Sequence, residues 1–390
     1  MNMSLAFSVD CSRLRAWMRS LARQIRFSYS YASRLGTGRM YAYTVLSTMS
    51  SLLISCNVNN VAPSNSQQLI SAYQYSTSYF LLDTLYSKFF ESQHQASRTG
   101  FSYSDEEIQN WILTIDVWLT LSPNQSNSNP VLADAYIDLP GHQVNESYPD
   151  DITYLLRSDS GGFESGRFYK LDHSEFSLNY SGGYLALNHY IPDDQAIAVS
   201  YSILGKDKTG GTYDDIIFGP ASVSDTVAGG RFLLKLVKPR FLKPRFKPAW
   251  NLIMRNVYKL AVDDLSPMHL SLKIIFGQGP NEVQTSKLLG VDLLTACGLD
   301  RYDSLGYKVP DTKFDFAAGI TVDLRRSELI FPSLRPFDSA LVQYFRRAQP
   351  NTQLPDSILQ SELYEDYIGY TVPTNILGHN SYNILVTSKR

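Results

Sequence analysis

The sequence predicts a mainly β protein of the α+β class: a sandwich or jelly-roll-like β domain, then a helix packed beside a β-meander. Three observations carry this expectation. Leu113, Ile115, Val117, Leu119 and Leu121 alternate with Thr114, Asp116, Trp118 and Thr120, the two-residue period of a strand with one buried face. Short runs of this kind recur up to Ile203, with turn residues between them. Beyond Pro248 the period shifts toward that of a helix, and alternation resumes at Met268.

The bulk composition agrees. Apolar residues make up 44% of the 390, enough for real cores, while charged residues are only 18%. The 26 Tyr and 19 Phe, with abundant Ser, Asn and Thr, favour β-structure and a cell-envelope or extracellular setting. A net charge of −2 offers no global attraction for nucleic acid, and no such partner is expected. Cys11, Cys56 and Cys297 are too scattered for a disulfide framework or a zinc site, so no cofactor or metal is predicted. No apolar run reaches the ~18–20 residues of a transmembrane helix. Membrane contact would have to come through a lipid or through strands.

Residues 1–56 form a basic segment. Seven arginines lie between Arg13 and Arg39, and no acid occurs between Asp10 and Asp83. Leu14, Trp17, Met18, Leu21 and Ile25 share one helical face, which suits a surface-binding helix, a targeting segment, or upstream sequence read from a misplaced start. The run from Tyr41 to Cys56 has the length of a signal peptide, and its Leu-Ile-Ser-Cys ending is similar to a lipobox. Cys56 is therefore a candidate for lipidation, against the alternative of a chance small-residue run before a cysteine. Residues 57–104 read as a polar linker to Gln68, then an aromatic segment, Tyr73 to Phe90, that suits either a strand or a buried helix.

Within 105–234, Val131 to Leu139 reads as the strand returning from 113–121. Phe176–Tyr180 and Tyr184–Leu187 flank Ser181-Gly182-Gly183 as a hairpin, and Ile197, Val199, Tyr201 and Ile203 alternate again. The Gly205–Thr212 loop has the glycines of a phosphate-binding loop, but glycine stands where lysine is needed, so a turn is expected. The acid pairs Asp150/Asp151, Asp193/Asp194 and Asp214/Asp215 sit at predicted turns, where Asp satisfies backbone amides. His173, beside Asp172 and Glu175, is the best metal candidate and a weak one. No Ser/His/Asp or Cys/His arrangement emerges from the spacing, and the chain is not expected to be an enzyme.

Residues 235–249 read as a semi-rigid basic linker, since Lys238-Pro-Arg-Phe, Lys243-Pro-Arg-Phe and Lys247-Pro-Ala-Trp place proline every few residues. Lys238, Arg240, Lys243, Arg245 and Lys247 are candidates for contact with an anionic partner, against the plainer reading of a solvated linker. The unit 250–337 starts with a predicted helix whose face carries Trp250, Ile253, Met254, Val257 and Ala261. A strand through Met268, Leu270, Leu272, Ile274 and Phe276 follows, then a turn at 277–281. Leu288 to Ala296 suits a short helix stopped by Gly298. Ile320–Leu324 should pair with Leu329–Phe331 across the turn from Arg325 to Glu328. Residues 338–390 read as a C-terminal extension.

At these residues a resemblance becomes visible. Trp250-Asn-Leu-Ile-Met-Arg-Asn-Val-Tyr258, Gly298-Leu-Asp-Arg301, Phe314-Asp-Phe316 and Ile330-Phe-Pro-Ser-Leu-Arg-Pro-Phe337 resemble, in order and spacing, the SprA/Sov family. The residues carrying the likeness are Trp250, Asn256, Tyr258, Asp300, Arg301, Phe314, Asp315, Phe331, Pro332, Pro336 and Phe337. Ile115-Asp-Val-Trp-Leu119, Asp134–Leu139, Gly166–Leu171, Gly183–Asn188 and Gly211–Asp214 extend it upstream. Leu363-Tyr364 and Tyr382–Val386 extend it downstream, so it spans roughly 105 to 390. The family is the outer-membrane translocon of the type IX secretion system, linked to gliding motility in Bacteroidota. The resemblance implies a non-enzymatic role in moving folded cargo across the outer membrane, with cargo and other secretion-system proteins as partners. It also implies a location in the cell envelope, at the outer membrane or cell surface. Family members are far longer, and a barrel of roughly 36 strands at about ten residues each would need more chain than this. The chain is therefore expected to be a fragment or a free-standing copy of one soluble domain. On the residues alone, a lipid-anchored envelope β-sandwich binding a glycan or protein remains the alternative, with an envelope hydrolase behind it.

Overall fold

A computed structural model describes residues 65–95, 102–122, 129–148, 161–220, 230–262, 265–277, 285–353 and 382–389, apart from positions 145, 212, 338 and 352. The basic segment with its arginine-rich face, Cys56, Asp150, Asp151 and most of the turn at 277–281 lie outside the described residues. The architecture is mainly β with short helices, as the periodicities predict.

In chain order the first elements are β1 (Asn65–Ser71), β2 (Tyr79–Leu81), α1 (Tyr86–Gln95) and α2 (Asp105–Gln109). The start of α2 is written locally: Ser104 Oγ accepts from Glu107 N at 3.2 Å, and the Glu107 carboxylate accepts from Ser104 N at 2.8 Å, a reciprocal cap. Then come β3 (Ile112–Thr120), β4 (Val131–Tyr136), β5 (His142–Gln143), β6 (Phe163–Lys170), β7 (Phe176–Asn179), β8 (Tyr184–Leu187), β9 (Ile197–Ile203), β10 (Ile216–Phe218) and β11 (Phe232–Lys238). The remainder is α3 (Lys247–Trp250), β12 (Val257–Lys259), β13 (Leu270–Phe276), β14 (Lys287–Leu288), β15 (Val291–Asp292), α4 (Leu293–Ala296), β16 (Val322–Asp323), β17 (Glu328–Ile330), α5 (Ser339–Ala348) and β18 (Tyr382–Lys389).

The β-rich region closes on itself. The sheet order β11-β4-β6-β3-β9 returns to β11 through antiparallel pairing of Lys235 with Val199 and Leu236 with Ala198. The result is a five-stranded barrel, with β10 and β5 attached as a flap along β9. Closure removes the sheet edges that a sandwich would leave. Val117, Leu119, Phe168, Val199, Leu234 and Leu236 are fully buried, and the small Ala133, Ala135 and Ala198 let the strands curve tightly. The predicted return strand is present as β4, but it does not pair with β3. β6 lies between them, antiparallel to both.

The predicted linker at 235–249 begins with barrel wall. All of β11 is buried, including Lys235 and Lys238; a strand packed on both faces reads as a continuous apolar run, and its two lysines masked that pattern. Proline at 239 then ends it, because it has no N–H to give the ladder. The hairpin of β7 and β8 is paired as the Ser-Gly-Gly turn predicts, Phe176 with Leu187 through Asn179 with Tyr184. The Tyr73–Phe90 segment turns out to be both alternatives in succession, β2 and then the first half of α1.

A second core lies beyond the barrel. β1 and β13 flank β18, all antiparallel, so the supposed C-terminal extension supplies the middle strand of a three-stranded sheet. The supposed linker supplies an edge of that sheet from Asn65 onward. Leu272, Ile274, Tyr382, Ile384 and Val386 pack from this sheet against Leu293 and Leu294 of α4 and Leu341 and Phe345 of α5. The predicted helix at 250–261 is confined to α3, which ends at Trp250. Arg255 Nη2 donates to Trp250 O at 2.6 Å, and the β-formers Val257 and Tyr258 pair with Ile330 and Leu329. Tertiary pairing overrides a helical spacing here. Likewise the predicted helix over 288–296 is a β14–β15 hairpin followed by the four residues of α4, with Gly298 at φ +76° after it. The predicted pairing across Arg325–Glu328 is present as β16 and β17, Val322 opposite Leu329.

Candidate functional site

The four motif stretches, far apart in sequence, meet around this second core and where it adjoins the barrel core, which takes Leu252, Met254, Val257 and Ile330. Asn256 and Phe331 exchange two bonds: the side-chain amide of Asn256 donates to Phe331 O at 2.8 Å, and Phe331 N donates to Asn256 O at 2.8 Å. Tyr258 is fully buried, and its hydroxyl donates to Ala72 O at 2.9 Å. Its ring meets Phe331 at 5.4 Å and Phe337 at 6.1 Å, both edge-on. Phe337 stacks on Tyr382 at 5.5 Å. Trp250 is buried under the Arg255 guanidinium at 4.4 Å. Gly298 is needed where it stands: besides its positive φ, a Cβ there would lie 2.9 Å from Pro332. Cys297 and Pro336 are neighbours, thiol to carbonyl at 4.0 Å. Burial pushes that thiol far up, so it stays protonated and a poor nucleophile.

Two carboxylates then hold the excursion from Arg301 to Lys313. The fully buried Asp300 accepts from Asp311 N at 2.9 Å, Thr312 N at 3.1 Å and the Thr295 hydroxyl at 2.6 Å. Asp315 accepts from Arg301 N at 2.6 Å and Tyr302 N at 3.1 Å. Phe314 is half-buried and meets Phe316 edge-on at 6.2 Å. These acids are thus satisfied by backbone amides, the arrangement that costs a buried carboxylate least.

Arg301 itself stands between two clefts, of about 300 and 440 Å³, and lines both with Gly298 and Pro332. Its Nη1 donates to His94 O at 2.9 Å. The first cleft is walled by α1, the β7–β8 turn and the 315–321 loop, with Tyr103, Tyr302 and His94 as aromatic surfaces. The second adds Arg347 of α5 and Glu91, whose carboxylate accepts from the Ser333 hydroxyl at 3.1 Å and Leu334 N at 3.2 Å. This surface has cations, amides and rings, the makings of a recognition surface.

His94 was hidden in the sequence, although its helical spacing from Phe90 was readable: the rings stack at 3.9 Å, and Nδ1 lies 2.9 Å from Phe90 O. Burial lowers its pKa to about 4, partly opposed by that bond. The folded state therefore binds a proton less readily than the unfolded chain. The stability this gives is full above pH 6.5 and lost as pH falls toward 4, on the order of 2 kcal/mol given the ring's partial exposure. His94→Phe should flatten urea stability between pH 6.5 and 4 relative to the parent chain. An unchanged slope would show that another group titrates there.

The remaining candidates fall elsewhere. Lys238 Nζ donates to Gln195 O at 2.7 Å and Pro192 O at 3.3 Å. Burial lowers its pKa to about 8 against the opposing pull of Asp193, Glu164 and Asp194. Arg240 is bound by the Glu164 carboxylate, Nη2 at 2.6 Å and its own N–H at 2.7 Å. Two of the five cations in the supposed basic stripe are therefore taken up by partners within the chain, Lys238 buried and Arg240 at the surface. Arg245, over the Phe246 ring at 5.0 Å, and Lys247 are exposed, and Lys243 is half-buried. His173 lies in a single turn capped by Asp172 and Glu175, so the suspected metal ligands are a capping box. Among the described residues no group of three or more His, Cys, Asp or Glu could hold a metal. Asp214 accepts from Asp207 N at 2.8 Å and Asp215 from Gly211 N at 2.7 Å, the turn chemistry expected of that pair.

Sequence reasoning also missed a junction between the two cores. Tyr79 donates to the buried Glu328 carboxylate at 2.5 Å, and burial raises the pKa of that acid. Arg326 reaches across to Leu187 O at 2.9 Å and Ala186 O at 3.1 Å. No helix among the described residues is long and apolar enough to cross a membrane. The chain matches no protein-family model and no curated protein.

Proposed function

We propose that this chain is a non-enzymatic, SprA-like component or fragment of a type IX secretion translocon, acting by protein binding and gating at the outer membrane. One observation carries the reading. The four motif stretches on which the likeness rests meet at the second core, its carboxylate-held loop and the adjoining barrel core, and the Asn256 amide, Asp300 and Asp315 are turned to backbone partners. Motifs used this way keep a shape, which suits a component that works through its surface. The clefts beside Arg301 supply one such surface, framed by both the barrel side and the second core. Partners on this reading are secreted cargo and other secretion proteins.

The test is genetic. An in-frame deletion of codons 250–337 in the organism that encodes the chain should stop folded cargo from reaching the cell surface and abolish gliding. Undiminished export and movement in that strain would refute the proposal.

A further inference from the structure

The loop held by Asp300 and Asp315 has a tip whose character the fold does not require. Ser304 through Pro310 are all exposed, and Leu305, Tyr307 and Val309 are 80%, 67% and 57% exposed. Three large apolar side chains at alternating positions of one short loop form a patch, not scattered surface residues. The tip is rigid. Asp303 Oδ1 accepts from Leu305 N and Tyr307 N, both at 2.9 Å. Gly306 N donates to Asp303 O at 2.9 Å, Asp303 N to Tyr307 O at 2.9 Å, and Val309 N to Tyr307 O at 2.7 Å.

Two further features decide the occupant. The backbone donors of Leu305, Gly306, Tyr307 and Val309 are satisfied inside the loop and Pro310 has none. Of the apolar tip only Lys308, at the headgroup level, therefore brings an N–H without a loop partner, and shallow insertion costs little. The charge is also one-sided. Between Ser304 and Pro310 the only ionisable group besides the phenol is Lys308, while the flanking Asp303 and Asp311 turn their carboxylates back to amides of the loop. Leucine and valine for the acyl boundary, tyrosine for the headgroup level and lysine for anionic headgroups make an interfacial set.

We propose that the 301–313 excursion is a membrane-interface anchor that inserts Leu305, Tyr307 and Val309 into a lipid surface, with Lys308 on anionic headgroups. The inference is independent of the secretion reading and stands or falls on its own test. The full chain with Cys11→Ser, Cys56→Ser and Leu305→Cys is labelled at residue 305 with a polarity-sensitive fluorophore, Cys297 being buried. Vesicles of phosphatidylcholine with phosphatidylglycerol should blue-shift and brighten the probe. Adding Lys308→Ala should weaken that response about five-fold, and pure phosphatidylcholine vesicles should give a weaker response than the anionic ones. A probe that keeps its spectrum in water overturns the proposal, even if the chain sediments with the vesicles through its arginine-rich segment. Equal response on both vesicle types overturns the anionic preference.

Discussion

Replacing Phe331 with Ala should lower the unfolding free energy by about 4 kcal/mol. Phe331 is fully buried and touches the rings of Tyr258 and Phe337 at 5.4 and 5.3 Å. It sits where β17 leads into the 331–337 stretch, and Tyr258, held by its bond to Ala72 O, together with the Ile330 N bond to Thr321 O, limits collapse into the void. Phe331→Leu keeps most of the volume but loses both edge-to-face contacts, and should cost about half as much. Urea unfolding of the two variants gives the comparison. Equal, small losses would show that the site relaxes freely and that the motif is not a packing centre.

The second large effect belongs to the barrel. Lys235 Nζ is buried, pairs with Asp83 Oδ2 at 2.9 Å, and lies 5.3 Å from the Phe218 ring centre. Burial alone would raise the pKa of Asp83, but the Lys235 charge and the Leu85 amide outweigh it and hold the carboxyl below its usual range. Asp83→Ala removes the counter-charge and should cost about 3 kcal/mol, because an ammonium is then left almost dry. Lys235→Met removes the charge with its partner still partly open to solvent, and should change stability by about 1 kcal/mol or less. The asymmetry is the prediction. If Asp83→Ala is as mild as Lys235→Met, water reaches the ammonium and the pair adds little.

How far the chain could be read beforehand depended on what each residue's spacing can encode. The strand from Ile112 to Thr120 and the hairpin around Ser181-Gly182-Gly183 were legible, because period and turn chemistry are local. β11 was not, since its register is set by Val199 and Ala133, far away in sequence, and its lysines look solvated until their partners are known. The helical spacing of Trp250, Met254 and Val257 misled for the same reason: β12 exists because β17 is there to pair with it. At the site, Asp300 and Asp315 were recognisable as motif residues but not as loop staples. Their acceptor roles depend on amides up to 14 residues away. The apolar tip was in plain sight as Leu-Gly-Tyr-Lys-Val, yet only burial distinguishes an exposed Leu305 from a core one.

The central claim is that the scattered motifs form one cooperative unit rather than separate local features. Amide hydrogen exchange on the parent chain and on Asp300→Ala tests it most directly. In the parent, the amides of Arg301, Tyr302, Asp311, Thr312 and Phe331 should exchange at similar, slow rates. In the variant, protection should fall at all five together, including Phe331, whose bond to Asn256 does not involve Asp300. Loss confined to Asp311 and Thr312, with Phe331 unchanged, would contradict it.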